Sequence, residues 1–255
     1  MAHRHTHLIE YGADSVRKTY RSWDRDEHRR EWQTLSLLHT HRPGVAPRPI
    51  ESDLAGDPPS ITMSMMPGEP IAGRWTEPQL DALAEAVEEV WSTPPDGLAP
   101  IPVHDPNFWS AMADRSTPPN DEIGLAGYRR AREWIGADGP AFLGRPQRPV
   151  LGQGDPQIGN LLYDSATGRI GLIDFEDSGP SDLCLELANF AEHLGNRDTG
   201  LDGLADRFDV DQEQLLDSRR LWAAFWVLHL DAPARAADRT EQALRFLSLV
   251  DGSDR

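Results

Sequence analysis

The chain has 255 residues, an apolar share of 38% and a formal net charge of −17 at pH 7. This length can bury a sizeable core, in one large domain or in two lobes. The acidic balance disfavours nucleic acid and anionic membranes as partners, and no apolar run approaches the roughly 20 residues of a membrane span.

Residue usage bears on location and on chemistry. A single cysteine, Cys184, excludes an internal disulfide, and the first residues lack the apolar stretch of a secretion signal. A reducing cytoplasm is therefore the expected location. Among 25 basic residues Lys18 is the only lysine. Its compact ammonium suits a phosphate in a tight space, although a leftover surface lysine explains that single feature equally well.

The first residues are predicted to form a β-hairpin. Residues 6–22 contain two short runs of β-branched and aromatic residues around Gly-Ala-Asp-Ser. On the second strand Val16, Lys18 and Tyr20 share one face, because side chains alternate along a strand. Lys18 is therefore expected to point with apolar neighbours.

A helix and a further strand are predicted next. Residues 25–41 have helical periodicity, with Glu31 in the first half and an apolar stripe of Trp32, Leu35, Leu37 and Leu38. Residues 59–71 predict a short apolar strand that ends at a Pro-Gly pair.

From Trp75 onward the pattern is mostly helical. A capping-box sequence opens a helix at Thr76, and residues 92–107 are predicted to be a long loop. Two short strands are predicted around residues 148–177. The remaining predicted helices cover residues 121–135, 183–194, 211–230 and 239–249.

The chemistry is concentrated in the two short strands and the loop between them. Asp155 and Asn160 have the Asp-x-x-x-x-Asn spacing of a kinase catalytic loop, and Asp174 follows an apolar strand. Phosphoryl transfer needs a carboxylate to accept the hydroxyl proton, oxygen ligands for magnesium and a cation for the phosphates. The proton acceptor would be Asp155, the magnesium ligands Asn160 and Asp174, and the cation Lys18. Glu31 could hold Lys18 in place.

Each residue also has a structural interpretation. Asp155 alone would be a turn former, and Asn160 a loop cap. Asp174 could be an ordinary strand-end aspartate, and Glu31 a solvated charge on its helix. The joint order and spacing favour the functional interpretation.

The same segments resemble the aminoglycoside phosphotransferase and choline kinase family. The matching positions of its catalytic signature are Gly154, Asp155, Asn160, Ile173, Asp174, Phe175 and Glu176. The resemblance implies a protein-kinase-like bilobal α+β fold, with a small mixed N-terminal lobe at 1–66 and a larger, mostly helical lobe at 67–255. It implies ATP and Mg²⁺ as cofactors and a small-molecule hydroxyl as acceptor.

Further positions take roles from the resemblance. The helix with Glu31 resembles the family helix that supplies the partner of the lysine. The segment Met63, Ser64, Met65 and Met66 resembles the interlobe hinge, which implies backbone contacts with adenine. Asp182 matches an aspartate downstream of the signature.

The chain departs from the family pattern at two places. Gln153 stands where the signature has histidine, and glutamine can also hold the loop by hydrogen bonds. Only 17 residues precede Lys18, which is room for roughly one of the two strands that the family places there. Either the phosphate clamp is reduced or missing, with weaker ATP binding as a consequence, or the true start of the chain lies upstream.

The acceptor is predicted to be a small cationic molecule. Residues 176–217 contain twelve acidic residues and two arginines, which suits an aminoglycoside or a basic peptide antibiotic. The candidate contacts are Asp177, Asp182, Trp222 and Trp226, the last two near His229 on one helix face. A solvated acidic surface and ordinary core packing are the structural alternatives.

The nine histidines have no metal-ligand pattern. His3, His5 and His7 alternate on a strand-like segment, where a zinc site is not expected. Two functional alternatives remain open: a metabolic kinase for choline, a sugar or an amino alcohol, and a degenerate kinase fold that only binds ligands.

Overall fold

The structure is a computed structural model that describes residues 7–137, 139–230 and 232–252. His3 and His5 lie outside the described residues. Contacts divide the chain into two compact units: Met1–Pro100 with Val150–Pro180, and Ile101–Pro149 with Ser181–Arg255. These bounds differ from the predicted lobes 1–66 and 67–255, and the assignment of those lobes stays a prediction.

The first unit contains a four-stranded antiparallel sheet, and the predicted hairpin is its first part. The strand order is β1-β2-β4-β3. The strands are β1 at Leu8–Tyr11, β2 at Ser15–Thr19, β3 at Pro49–Asp53 and β4 at Ser60–Ser64. In the register of the sheet Lys18 lies between Ile9 and Ile61. The strand predicted in residues 59–71 is therefore confirmed, but it ends at Ser64, before Pro67.

Helix α1, at Glu27–His41, confirms the predicted helix but buries a different face. Leu35 and Leu38 are buried as predicted, whereas Trp32 and Leu37 are only half-buried. The other buried side chains are polar: Glu27, His28, Glu31 and Thr34. The helix therefore turns a polar face inward. Polar groups from other segments of the chain are the partners of that face.

The rest of the first unit consists of one helix and several short strands. Helix α2 spans Glu77–Trp91 and starts with the predicted capping box at Thr76. A small sheet has the order β5-β7-β8, and two further strands, β6 and β9, pair with each other. These strands are β5 at Glu69–Pro70, β6 at Pro149–Gly152, β7 at Leu161–Asp164, β8 at Arg169–Leu172 and β9 at Gly179–Asp182. Where the sequence predicts two strands in residues 148–177, the structure has three, β6, β7 and β8.

The second unit is helical. Its helices are α3 at Pro106–Arg115, α4 at Glu122–Gly136, α5 at Leu183–Glu192, α6 at Gln212–His229 and α7 at Ala236–Asp251. Helix α3 begins inside the stretch predicted to be a loop, and that prediction is wrong from residue 106 onward. Asp105 caps this helix through Asn107 N–H, and Pro106 takes the first helical position, where no backbone donor is needed.

Helices α4, α6 and α7 pack on one another, and α5 packs on α6. Among the described residues, no helix combines the length and apolar character needed to cross a membrane.

Candidate active site

Lys18 lies at the centre of a buried ionic cluster. Its Nζ is 2.8 Å from Glu31 Oε2, 2.6 Å from Asp174 Oδ1 and 2.7 Å from Glu176 Oε2. Strand β2, helix α1 and the segment after β8 supply these groups. The structure therefore brings together Lys18, Glu31 and Asp174, which the sequence predicts as one functional group, and adds Glu176.

The cluster carries three carboxylates against one ammonium. Burial alone would lower the pKa of Lys18, but Glu31, Asp174 and Glu176 raise it above the ordinary lysine value. Burial raises the pKa of Asp174, and the neighbouring carboxylates add to this against the attraction of Lys18. With these groups ionised the formal charge is −2, which one divalent cation would balance.

Glu31 joins helix α1 to the loop that carries Asp174. Tyr20 donates a hydrogen bond from its hydroxyl to Glu31 Oε2, and the backbone N–H of Phe175 donates to Oε1 at 3.4 Å. One turn further along the helix, the hydroxyls of Thr34 and Ser178 are 2.7 Å apart. These contacts explain why the helix buries its polar face.

Gln153 and Gly154 hold the start of the catalytic loop. Gln153 Nε2 donates to the carbonyl of Ile173 at 2.7 Å, which ties the loop to the residue before Asp174. Gly154 has φ +87°, and a Cβ built there would lie 2.2 Å from the carbonyl oxygen of Asp177. Glutamine thus supplies a loop-holding hydrogen bond at the position where the family signature has histidine.

Asp155 and Asn160 are in direct contact. Asn160 Nδ2 is 3.0 Å from the carbonyl oxygen of Asp155 and 3.3 Å from its Oδ2. Gln157 Nε2 donates to the same Oδ2 at 2.9 Å. The backbone N–H of Ile173 donates to the carbonyl of Asn160 at 3.0 Å, so the loop is fastened beside Asp174.

Asp174 is the most accessible member of the cluster. Its side chain is 31% exposed, against 6% for Lys18 and 1% for Glu31. Its φ of +64° is in the left-handed region, which is uncommon for a residue with a side chain and is found at functional sites. One carboxylate oxygen each of Glu31, Asp174 and Glu176 lies within 4.8 Å of the others. Hard oxygen ligands of this kind fit Mg²⁺.

The predicted hinge residues continue from the four-stranded sheet. Met63 pairs with Val16 and Pro49, and Ser64 N–H bonds the carbonyl of Arg48. Met65 N–H donates to the carbonyl of Asp14 at 3.0 Å, so this backbone donor already has a partner. The predicted adenine contact with Met63–Met66 stays a prediction.

The candidate acceptor residues have identifiable internal contacts. In the first unit, Asp177 Oδ1 is 2.8 Å from Arg25 Nη1. In the second unit, Asp182 caps helix α5 through Cys184 N–H and accepts hydrogen bonds from the backbone N–H groups of Gln147 and Arg148. The sequence signal at Asp182 therefore has a structural explanation. Its proposed contact with substrate stays untested.

Trp222 and Trp226 belong to an aromatic group in the second unit. Trp222 is buried and donates its indole N–H to the carbonyl of Leu185 at 3.0 Å. Trp226 is half-buried against Phe225, with ring centroids 4.9 Å apart, and Phe225 stacks on His229 at 5.0 Å. Trp222 thus has a core role, whereas Trp226 and its neighbours keep accessible aromatic surface.

Sequence reasoning gave no role beside Lys18 to three side chains. Glu176, which it noted only as a signature match, belongs to the cluster, and Tyr20 and His7 border it, with His7 Nε2 2.7 Å from Glu176 Oε2. The signal for Glu176 was its place two residues after Asp174, and Tyr20 shares the strand face of Lys18. The alternation of His7 with its neighbours indicated a strand face but no partner.

The geometry defines a class of protein. A buried lysine paired with a helix glutamate, an aspartate–asparagine loop and a strand-end aspartate are the parts of a protein-kinase-like phosphoryl-transfer site. The sequence model of the phosphotransferase enzyme family, APH, matches residues 12–222. The chain therefore belongs to this family, as its motifs predict, and is a phosphotransferase of the kinase type.

Solved structures share the kinase-like α+β fold. Choline kinase LicA from Streptococcus pneumoniae has a TM-score of 0.65 at 15% identity, covering 95% of this chain and 89% of that one. Aminoglycoside phosphotransferase APH(3'')-Id from Streptomyces rimosus, solved with ADP and streptomycin, has a TM-score of 0.56 at 19% identity, covering 86% and 92%. The GDP and kanamycin complex of APH(2'')-IIIa gives 0.64 at 16% identity, covering 98% and 93%. No curated protein matches the sequence.

Proposed function

We propose that this protein transfers the γ-phosphoryl group of ATP to a hydroxyl of a small cationic molecule, and that it does so in the cytoplasm. The observation that carries the proposal is the cluster of Lys18, Glu31, Asp174 and Glu176, connected through Ile173 to the Asp155–Asn160 loop. The intact set argues against a degenerate fold that only binds ligands.

The residues around Asp174 fit a magnesium ion. Of the three carboxylates that lie within 4.8 Å of one another Asp174 is the most exposed, and it would hold the ion with the side-chain oxygen of Asn160, its partner in the sequence prediction. The formal charge of −2 around Lys18 favours a divalent cation. When bound, magnesium supplies charge neutralisation for the phosphates. Lys18, whose ammonium lies beside Asp174, would contribute its charge to the same phosphates.

We assign Asp155 the role of proton acceptor. In the transfer, a bond forms between the acceptor oxygen and the γ-phosphorus, and the bond from that phosphorus to the ADP oxygen breaks. The hydroxyl proton passes to the carboxylate of Asp155, which leaves phosphorylated acceptor and ADP as products. The amides of Asn160 and Gln157 orient that carboxylate by donating hydrogen bonds to it.

Two features support a cationic acceptor. Phe225, Trp226 and His229 form a partly accessible aromatic group in the helical unit, and aromatic faces attract cations. Similar folds occur in complexes with streptomycin and kanamycin. Several acids of residues 176–217 have internal partners, including Glu192 with Arg219 and Arg245. The acidic stretch is therefore weaker support than its composition indicates.

A choline-like amino alcohol is the second candidate acceptor. The fold matches choline kinase LicA at a TM-score of 0.65 and the kanamycin complex at 0.64, so fold similarity supports both acceptor classes equally. A quaternary ammonium also suits an aromatic group. Antibiotic resistance would follow only from an antibiotic acceptor.

A panel assay tests both candidates. The protein is incubated with magnesium, ATP or GTP, and one candidate acceptor at a time: aminoglycosides, basic peptide antibiotics, choline, amino alcohols and sugars. The mass of each acceptor is then measured by mass spectrometry. We expect one cationic acceptor to gain one phosphate, and the Asp155→Asn variant to produce none. Phosphorylation of neutral sugars alone would contradict the cationic acceptor. An acceptor phosphorylated equally by the variant would contradict the role of Asp155.

A further inference from the structure

His7 reaches the lysine cluster from the other strand of the hairpin. It directly precedes strand β1 and lies where the hairpin register, which pairs Leu8 with Thr19, would place the partner of Tyr20. The His7 and Tyr20 ring centroids are 4.8 Å apart, and His7 is 5% exposed. His7 thus lies on the strand face that carries Lys18, at the buried end of that face.

The hydrogen bonds of His7 determine its tautomer. The backbone N–H of Arg21 donates to His7 Nδ1 at 3.2 Å, so Nδ1 is the acceptor. In the neutral ring the proton is then on Nε2. Nε2 lies 2.7 Å from Glu176 Oε2, a close polar contact without the alignment of a hydrogen bond. The backbone of the hairpin therefore orients the ring and holds Nε2 against Glu176.

Glu176 has one oxygen in close contact with two nitrogen atoms. Oε2 is 2.7 Å from His7 Nε2 and 2.7 Å from Lys18 Nζ. A carboxylate in contact with both groups has fewer accessible rotamers than one in contact with a single flexible lysine. His7 lies before the segment 12–222 that matches the family, so the family pattern does not account for it.

We propose that His7 is a positioning residue of the phosphoryl-transfer site, which fixes the carboxylate of Glu176 and through it the ammonium of Lys18. The inference rests on the proposed function. It predicts that His7 sets nucleotide binding, because Lys18 meets the phosphates, and that it leaves acceptor binding unchanged. Loss of one charge-assisted contact corresponds to a rise of roughly tenfold in the KM for the nucleotide.

Three variants separate positioning from packing. His7→Phe keeps a ring against Tyr20 but cannot donate to Glu176, whereas His7→Gln restores an amide donor at a similar reach. His39→Phe is the matched control, because His39 is exposed on helix α1. We expect H7F to raise the nucleotide KM roughly tenfold. The nucleotide KM of H7Q should lie close to the parent value, and that of H39F should equal it.

The single lysine offers a second readout that needs no turnover. With isotopically labelled lysine, Lys18 gives the only lysine side-chain signal of the chain. We expect H7F to shift this signal in the nucleotide-free protein, and H7Q to return it towards the parent position. In a Glu176→Gln background, H7F should add little to the shift, because the shared oxygen no longer carries the charge.

Each outcome decides. If H7F leaves the lysine signal and the nucleotide KM unchanged, or if H7Q fails as completely as H7F, His7 only packs and the proposal is overturned. If H7F does not fold, a Glu176→Gln variant whose lysine signal and nucleotide KM equal those of the parent protein would overturn it equally, because His7 acts only through Glu176. If the variants show the predicted lysine shifts but the parent protein transfers no phosphate, the positioning role is supported and the proposed function is overturned.

Discussion

Asp155 and Asp174 show how neighbouring residues give carboxylates different tasks. Asp155 accepts hydrogen bonds from the amides of Gln157 and Asn160, which leave a polar, oriented carboxylate beside the loop. Asp174 is instead held by Lys18 among other acids, where positive charge is in deficit. The first environment suits a base for a hydroxyl proton, and the second suits a cation ligand.

We expect Asp155→Asn to lower kcat by roughly 10²- to 10⁴-fold, since the amide has a similar shape but cannot accept the proton. Nucleotide affinity should stay within about twofold, because the changed atom belongs to proton transfer and not to phosphate binding. Steady-state kinetics and calorimetric nucleotide binding measure the two effects. The control is Asp24→Asn, at an exposed position. Unchanged kcat would exclude Asp155 as the base.

Gly154 allows a matched test of backbone strain. Gly154 and Gly168 both have positive φ, +87° and +72°, but only at Gly154 would a Cβ meet another atom, the carbonyl oxygen of Asp177. We expect Gly168→Ala to cost about 1 kcal/mol of unfolding free energy, and Gly154→Ala at least about 2 kcal/mol, because the clash adds to the strain. Urea unfolding measures both. Equal costs would show that the close approach to Asp177 is not required.

At the scale of elements, helix α1 and the loop after strand β8 depend on each other. Glu31 and Thr34 bond the segment of Phe175–Ser178, and Arg30 Nη1 donates to the carbonyl of Ser178 at 2.9 Å. The helix can therefore carry polar residues inside, since each bond replaces one that water would make. A shift of the helix would move Glu31 and disturb Lys18.

Helix α5 depends on its cap in a similar way. Asp182 accepts hydrogen bonds from three backbone N–H groups and from Gln214, whereas Asp211 caps helix α6 through Gln214 N–H. We expect Asp211→Ala to cost about 1 kcal/mol and Asp182→Ala about 2 to 4 kcal/mol, because more buried donors lose their acceptor. Chemical unfolding compares them. A stable Asp182→Ala variant with weakened acceptor binding would favour the substrate role predicted from the sequence.

At the scale of the whole molecule, the site depends on segments far apart in the chain. Strand β2, helix α1 and the segment after strand β8 bring Lys18, Glu31, Asp174 and Glu176 together from positions up to 158 residues apart. Such a site exists only in the folded state, so a ligand of this site stabilises the fold.

We therefore expect magnesium and ATP together to raise the thermal midpoint of the parent protein. At a ligand concentration of a hundred times Kd, the gain in unfolding free energy is about 2.7 kcal/mol. Either component alone should do less. Asp174→Asn should remove most of the magnesium dependence, and Asp24→Asn should keep it. A shift that ignores magnesium would contradict the roles of Asn160 and Asp174.

The sequence by itself determined the hairpin and most of the helices, and it named Lys18, Asp155, Asn160 and Asp174 as the candidate chemical residues. Periodicity, capping signals and the spacing of a loop are local properties, and they can be read without knowing the fold. The sequence could not show that helix α3 starts at Pro106. The loop-forming residues on both sides of this short helix are a stronger local signal than its helical periodicity.

Only the tertiary structure decided which side chains complete the site. Glu176 and His7 have no short spacing to Lys18 that would mark them as partners, and helix α1 turns its polar face inward against the expected apolar stripe. The physical reason is that the face an element buries depends on its partners. Lys18, Tyr20 and Ser178 satisfy Glu31 and Thr34 across the fold, and those contacts form only when distant segments pack together.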